Sequence, residues 1–150
     1  MRRFLIRFKD VPIDKESVKS GQISSEVATA CRCVNIGLFL SGDLRRDVIV
    51  SIAMGPTEDL KVISYPGASL RRVSPDERSI SFFLLKAIER LQDIGPEESI
   101  ILDNGIELVR SSLDKLVALW GSEFIQVPSA NPERFILDTN LSADRVVNAP

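Results

Sequence analysis

Hydrophobic residues occupy almost every position of the segment RDVIVSIAM (46–54). Such a run puts apolar side chains on both faces of a strand, which is typical of a strand buried on both sides within a parallel sheet. A turn, GPTED (55–59), and a second strand, LKVISY (60–65), follow it. The run therefore predicts a central sheet that is covered on both faces.

Three segments have the periodicity of amphipathic helices. In 24–41 the main apolar residues recur at spacings of four, three and four, after a serine cap at Ser24 or Ser25. A second helix is predicted over 76–93, begun by an S-x-x-E capping box from Ser74 to Glu77. A third, serine-capped helix is predicted over 111–120.

The remaining segments complete an α/β pattern. Strands are predicted at RRFLIRF (2–8), EFIQV (123–127) and RFILD (134–138), and a short hairpin at IILDNGIELV (100–109). The polar segment 10–22 is predicted to be a loop, and the last twelve residues have no clear period. Alternation of strands with helices predicts one α/β domain, residues 1–150, with a mostly parallel sheet flanked by helices.

Composition excludes several kinds of chemistry. The chain has no histidine, so Ser-His and Cys-His catalysis and histidine-bound metals are excluded, and no metal is expected. Its two cysteines, Cys31 and Cys33, would point about 200° apart on a helix, which rules out a metal shared between them. They cannot form a disulfide framework, so a cytoplasmic location is expected. No apolar run approaches the roughly 20 residues of a membrane span.

Positive charge is concentrated in the first half of the chain. Residues 1–78 hold 13 Lys/Arg against 10 Asp/Glu, and residues 79–150 hold 6 against 11. Arginines also cluster in "SLRRVSPDERS" (69–79), around a predicted helix N-terminus whose amides are open to an anion. This segment indicates an anion pocket, although paired arginines are more often solvated surface.

Two segments together resemble a known family. CRCVNIGLFLSGDLRRDVIV (31–50) and GASLRRVSPDERSISFFLLKAI (67–88) are similar to the archaeal tRNA pseudouridine-54 N1-methyltransferases, members of the SPOUT superfamily. The resemblance covers most of the chain and is strong over about residues 28–90. It implies a Rossmann-type domain with a C-terminal trefoil knot, usually as a homodimer. It also implies S-adenosylmethionine as methyl donor and a pseudouridine of the tRNA T-loop as acceptor.

The resemblance implies roles for particular residues. A carboxylate is the expected proton acceptor in a chain without histidine, and Asp47 is the first candidate and Asp76 the second. Either could instead be structural, Asp47 as an ion-pair partner of a neighbouring arginine and Asp76 as part of a helix's first turn. The expected phosphate or base contacts are Arg45, Arg46, Arg71, Arg72 and Arg78.

The sequence also departs from the family pattern. Ser41-Gly42-Asp43 stands where the family commonly has a histidine after F-L-S. Val127 and Asp138 are the expected cofactor contacts, but Asp138 is followed by Thr139-Asn140 rather than the usual small residue. Only twelve residues follow Asp138, too few for the loop, strand and helix that close the knot. An incomplete knot is therefore expected, in a shortened product or in a domain without a cofactor site.

Three hypotheses follow. The first is an S-adenosylmethionine-dependent tRNA methyltransferase, and the second a catalytically inactive RNA-binding module of the same origin. The third is an interaction protein that dimerises through the helix ending at Trp120, although a core position for that ring is the more common outcome.

Overall fold

The computed structural model describes residues 2–120 and two further strands, 124–128 and 144–148. Its elements, in chain order, are β1 (Arg2–Phe8), α1 (Lys15–Ser20), α2 (Ser25–Leu38), β2 (Phe39–Leu40), β3 (Asp43–Leu44), β4 (Val48–Met54), β5 (Leu60–Pro66), α3 (Glu77–Leu91), β6 (Ser99–Ile101), β7 (Glu107–Ser111), α4 (Leu113–Trp120), β8 (Phe124–Pro128) and β9 (Asp144–Asn148). None of the helices in this part of the chain has both the length and the hydropathy to cross a bilayer.

A seven-stranded sheet forms the centre of the fold, in the order β6-β7-β5-β4-β1-β9-β8. The predicted α/β class is confirmed. Pairing is parallel in the half formed by β4, β1, β9 and β8, and antiparallel in the half formed by β4, β5, β7 and β6. The sheet is thus mixed rather than mostly parallel, because the segment between β4 and β5 is too short for a parallel crossover.

The two faces of the sheet are covered differently. Alternate residues of the central strands, such as Phe4, Ile6 and Ile52, join a large apolar core with α2 and α3. On the opposite face, Leu5, Ala53 and Val62 are among the residues that form a smaller cluster with α4. This alternation is the two-residue period of a strand, and it explains why β4 is apolar at every position except Ser51.

The helix predictions are largely confirmed, with one correction at a cap. Helix α2 begins after Ser24, whose hydroxyl accepts the Val27 amide at 3.2 Å. Helix α3 is capped by Asp76 and not by the predicted Ser74 box, since the Asp76 carboxylate accepts the Ser79 amide at 2.8 Å. The negative charge of a carboxylate at this position also interacts favourably with the positive end of the helix dipole, and a neutral serine cap lacks this interaction.

Four elements were not predicted from the sequence: the short strands β2 and β3, helix α1 and strand β9. Helix α1 lies inside the segment predicted to be a loop, and Asp14 and Ser17 form a capping box at its start. Strand β9 lies in the terminal segment that has no clear period. The hairpin around Asn104-Gly105 is confirmed as β6 and β7. The strand predicted at 134–138, and with it the expected knot closure, lies outside the described residues.

Candidate functional site

Three loops meet at the edge of the sheet where β1 and β4 begin. Because β5 is antiparallel to β4, its end returns to the start of β4, and the loop after it reaches residues 45–47. There the Gly67 amide donates to the Val48 carbonyl at 2.9 Å. The turn between β6 and β7 lies beside the same loop, since the Arg71 amide donates to the Asn104 carbonyl at 2.8 Å. We call the surface formed by residues 43–47, 67–78 and 103–105 the arginine edge.

Two glycines allow these loops to approach closely. A Cβ on Gly67 would overlap the Arg45 carbonyl, and a Cβ on Gly105 would overlap the Ser69 carbonyl. Gly105 also has a φ of +93°, in the region that L side chains rarely adopt. The contact between the three loops is therefore set by backbone geometry as well as by hydrogen bonds.

Four of the five predicted RNA-binding arginines lie on the loops that meet here, and the fifth, Arg78, lies in the first turn of α3 that follows them. The five are in two different states. Arg46 contacts the Asp43 carboxylate at 3.6 Å, and Arg72, in the left-handed region at φ 66°, contacts Asp103 at 3.3 Å. Arg45, Arg71 and Arg78 form no ion pair with any described residue. The buried Nε of Arg45 also has no hydrogen-bond partner there. Three guanidinium groups thus remain available to an anion.

The two candidate carboxylates differ in what already binds them. Asp76 caps α3 by accepting the Ser79 amide, which is the structural role considered for it as an alternative to proton transfer. The exposed side chain of Asp47 forms no ion pair with described residues, because its neighbour Arg46 is directed to Asp43. Of the two, Asp47 is the carboxylate open to a ligand.

The predicted cofactor contact Val127 lies far from this edge within one chain. Asp47 precedes Val48, which pairs with Arg2 at the start of β1. Val127 pairs with Val147 of β9, and Val147 pairs with Ile6 near the end of β1. Five residues of strand rise and three strand spacings put the two positions roughly 20 Å apart. Asp138 lies outside the described residues. The structure therefore brings Asp47 together with the arginines but not with Val127.

A polar cluster beneath α4 is a feature that sequence reasoning missed. The Arg3 guanidinium donates to Ser51 Oγ at 3.0 Å and to Ser64 Oγ at 3.3 Å, and it lies over the Trp120 ring at 4.0 Å. The two serine hydroxyls are 2.6 Å apart and buried. A cavity of about 440 Å³ adjoins the cluster between the sheet and α4. The position of Trp120, half-buried against the smaller core cluster, agrees with the inward packing that is common for such a ring.

Both cysteines are buried on α2. Burial raises the pKa of the Cys31 thiol to about 12 and that of the Cys33 thiol to about 11. Neither is therefore a thiolate nucleophile at neutral pH. Within the described residues, no group of three Cys, Asp or Glu side chains is arranged to hold a metal ion.

A second cavity lies between α1 and α3, beside the arginine edge. Its volume is about 690 Å³, and Lys15, Lys19, Arg78 and Lys86 line it together with Phe82. The two lysines of α1 were not candidates from the sequence, because the helix that presents them was predicted to be a loop. Only the capping box and the left-handed Gly21 that ends α1 could have indicated it.

The fold and this edge define an α/β domain whose loops carry a group of arginines at one end of the sheet. Residues 1–126 match the sequence profile of the family described as "Putative SAM-dependent RNA methyltransferase". The match covers most of the chain, so the chain belongs to this family of RNA methyltransferases. The recognition made from residues 31–50 and 67–88 is thereby confirmed.

Individual relatives agree with this assignment. The chain is 39% identical over 99 residues to the tRNA (pseudouridine(54)-N(1))-methyltransferase of Methanococcus maripaludis strain C5, covering 60% of this chain and 47% of the relative. It is 34% identical over 97 residues to the protein of that name from Haloferax volcanii, covering 62% and 46%. The chain thus spans about half the length of the curated relatives it matches.

Proposed function

We propose that this chain acts as an S-adenosylmethionine-dependent methyltransferase on N1 of a pseudouridine in the tRNA T-loop. Family membership and the names of the relatives support this function. We further propose a cytoplasmic homodimer, since the free buried thiols suit a reducing compartment. Because Asp138 lies outside the described residues, the family description alone supports S-adenosylmethionine as the cofactor.

The observation that carries the proposal is the convergence of the arginines at one edge. Residues 45–46 and 71–72 are separated in sequence, yet the β4–β5 hairpin brings their loops together, and the loop that carries Arg71 leads into α3, where Arg78 lies in the first turn. A T-loop presents phosphates and unstacked bases, and arginine recognises both through its planar fork of donors.

The reaction exchanges the proton on N1 of pseudouridine for a methyl group. S-adenosylmethionine supplies the methyl group when it is bound. In our proposal the arginine edge holds the phosphates next to the target nucleotide, and the Asp47 carboxylate accepts the N1 proton. The nitrogen electron pair that held this proton then forms the new N–C bond. Because Asp47 is exposed in the free chain, bound RNA must cover it and exclude water.

A second copy of the chain is required if both Asp47 and Val127 serve the reaction. The roughly 20 Å between them is too long for methyl transfer within one chain. In a twofold dimer the arginine edge of one protomer can face the proposed cofactor contact, Val127, of its partner. A site built from two protomers would give the proposed homodimer a specific purpose.

Methyl transfer tests the function directly. Labelled S-adenosylmethionine is incubated with the protein and a tRNA transcript carrying pseudouridine at position 54, and with a matched transcript carrying uridine there. We expect label only in the first, because N1 of uridine carries the glycosidic bond and has no proton to exchange. Tight binding of both transcripts without transfer would favour the inactive RNA-binding alternative.

Mixing two variants tests the shared site. Asp47→Asn and Val127→Trp are each expected to be inactive alone. Exchanged protomers would regain about a quarter of the wild-type activity, since half the dimers are mixed and each has one intact site. Continued inactivity of a verified mixed dimer would contradict a site built from two protomers.

A further inference from the structure

The groove between α1 and α3 is lined by several cations, which packing of the two helices does not require. It is lined by Lys15, Lys19, Arg78 and Lys86, and all four side chains are exposed. None of the four forms an ion pair with a described residue. Asp76 is the lone carboxylate among the lining residues, and its charge is already used to cap α3. The groove therefore carries an uncompensated positive charge.

An aromatic ring is exposed in the middle of these cations. Phe82 is 44% exposed, although phenylalanine on an amphipathic helix usually faces the core. The ring is held in place from two sides, by an edge-on contact with Phe83 at 5.1 Å and by the Lys86 ammonium at 5.6 Å. A fixed, exposed ring among cations is the arrangement with which proteins stack a nucleotide base while binding its phosphates.

The groove is continuous with the arginine edge. Arg78 lines the groove from the first turn of α3, and the loop that carries Arg71 leads directly into that turn. From Arg78 to Lys86 the helix advances about 12 Å, which extends the cationic surface along α3 by about two turns. A polyanion bound at the edge can thus continue into the groove without leaving positive charge.

We propose that this groove is a second RNA-binding surface, which holds a flexible single-stranded segment of the tRNA outside the reacting loop. Lys15, Lys19 and Lys86 bind its phosphates, and one unpaired base stacks on Phe82. This inference rests on the proposed function, because it takes the RNA bound at the arginine edge as its ligand. The surface adds affinity and contributes nothing to the reacting atoms.

The lysines provide a matched test. The chain has six lysines, of which three line the groove and three, Lys9, Lys61 and Lys115, lie elsewhere. The groove triple variant K15Q/K19Q/K86Q and the control triple variant K9Q/K61Q/K115Q remove the same formal charge. Because Lys115 already contacts Glu97 at 3.0 Å, the double variants K15Q/K19Q and K9Q/K61Q repeat the comparison without that ion pair. Affinity for tRNA is measured by fluorescence anisotropy over a series of salt concentrations. We expect the groove variant to bind about tenfold more weakly in 0.1 M salt and to lower the salt slope by roughly 2. The control should change affinity less than twofold.

Substitution of Phe82 separates stacking from charge. Phe82→Leu should weaken tRNA binding about tenfold without changing the salt slope, and Phe82→Tyr should restore it. In methyl transfer, both the lysine triple and Phe82→Leu should raise KM for tRNA and leave kcat within twofold.

Two outcomes are distinguishable. If the wild-type protein binds no tRNA, the proposed function itself fails. If it binds and methylates tRNA, but the groove and control triples bind equally well, the groove proposal alone is overturned.

Discussion

Arginines on the sheet and arginines at its edge have opposite surroundings. Arg110 donates through Nε and its terminal nitrogen to both Asp59 carboxylate oxygens, at 2.8 and 2.7 Å. Arg3 is likewise held by two serine hydroxyls and the Trp120 ring. At the edge, Arg45 and Arg71 have no such partner among the described residues. The first pair stabilises the fold, whereas the second pair is available to a ligand.

The arginines of this protein thus serve two purposes: some stabilise the fold, and others are available for binding. A bidentate pair fixes a side chain and uses its donors, so loss of Arg110 should affect folding. A guanidinium without an ion-pair partner contributes little to folding and retains its donors for phosphate. Variants in the two regions should therefore have opposite effects on unfolding and on RNA affinity.

The largest effect is expected at Asp47. Asp47→Asn removes the proposed proton acceptor and should slow single-turnover methyl transfer by roughly 10²- to 10⁴-fold, with tRNA affinity within threefold. Asp43→Asn is the control, because Asp43 is a nearby exposed carboxylate that already contacts Arg46. Equal rates in wild type and Asp47→Asn would remove Asp47 from the mechanism.

The next effect compares unpaired with paired arginines at the edge. Arg45→Gln/Arg71→Gln should weaken tRNA binding about tenfold in 0.1 M salt and lower the salt slope by roughly 1.5. Arg46→Gln/Arg72→Gln removes the same charge from side chains that carboxylates already neutralise, and should weaken binding less. Both should unfold like wild type in urea. Equal losses of affinity in the two double variants would show that the ion pairs open when RNA binds.

A smaller effect, on stability alone, is expected at Arg3. Arg3→Met keeps the apolar stem beside Trp120 but removes the donors to the two serines. The free energy of unfolding in urea should fall by about 1–3 kcal/mol. Affinity for tRNA should remain within twofold. A loss of affinity without a loss of stability would place Arg3 with the binding arginines and end the distinction between the two regions.

The sequence predicted the local elements better than their arrangement. The apolar run of 46–54 gave a strand covered on both faces, since that pattern depends on burial alone. The orientation of its neighbour depends on the length of the connection, and the short turn at 55–59 was the available signal for a hairpin. Helix α1 was missed because six mostly polar residues have too few apolar positions to display a period.

The candidate site was predictable as a set of residues but not as a place. Arginine pairs and the start of α3 are visible in the sequence, whereas their shared surface results from the β4–β5 hairpin and the close approach at Gly67. The cluster of Arg3, Ser51 and Ser64 was not predictable at all. It requires the register that puts Ser51 opposite Ser64 and beside β1, which no local pattern specifies.

The smallest effect concerns the pH dependence of the stability that the Arg110–Asp59 pair contributes. The hydrogen bond from Arg110 lowers the pKa of Asp59 below its ordinary value of 3.8. Because the folded-state pKa is lower than the unfolded one, the pair stabilises the fold above about pH 3.8, and this contribution is lost as pH falls through the folded pKa.

Asp59→Asn should therefore lower the urea midpoint at pH 6 and have progressively less effect below pH 3.8. Asp103→Asn, at an exposed ion pair of the arginine edge, is the comparison and should change the midpoint little at either pH. A constant difference between Asp59→Asn and wild type across this range would contradict a charge-based role for Asp59. Asp59 would then stabilise the fold by packing and not by its ion pair with Arg110. In that case Arg110 would not be an arginine whose ion pair stabilises the fold, and the contrast with Arg45 and Arg71 would fail.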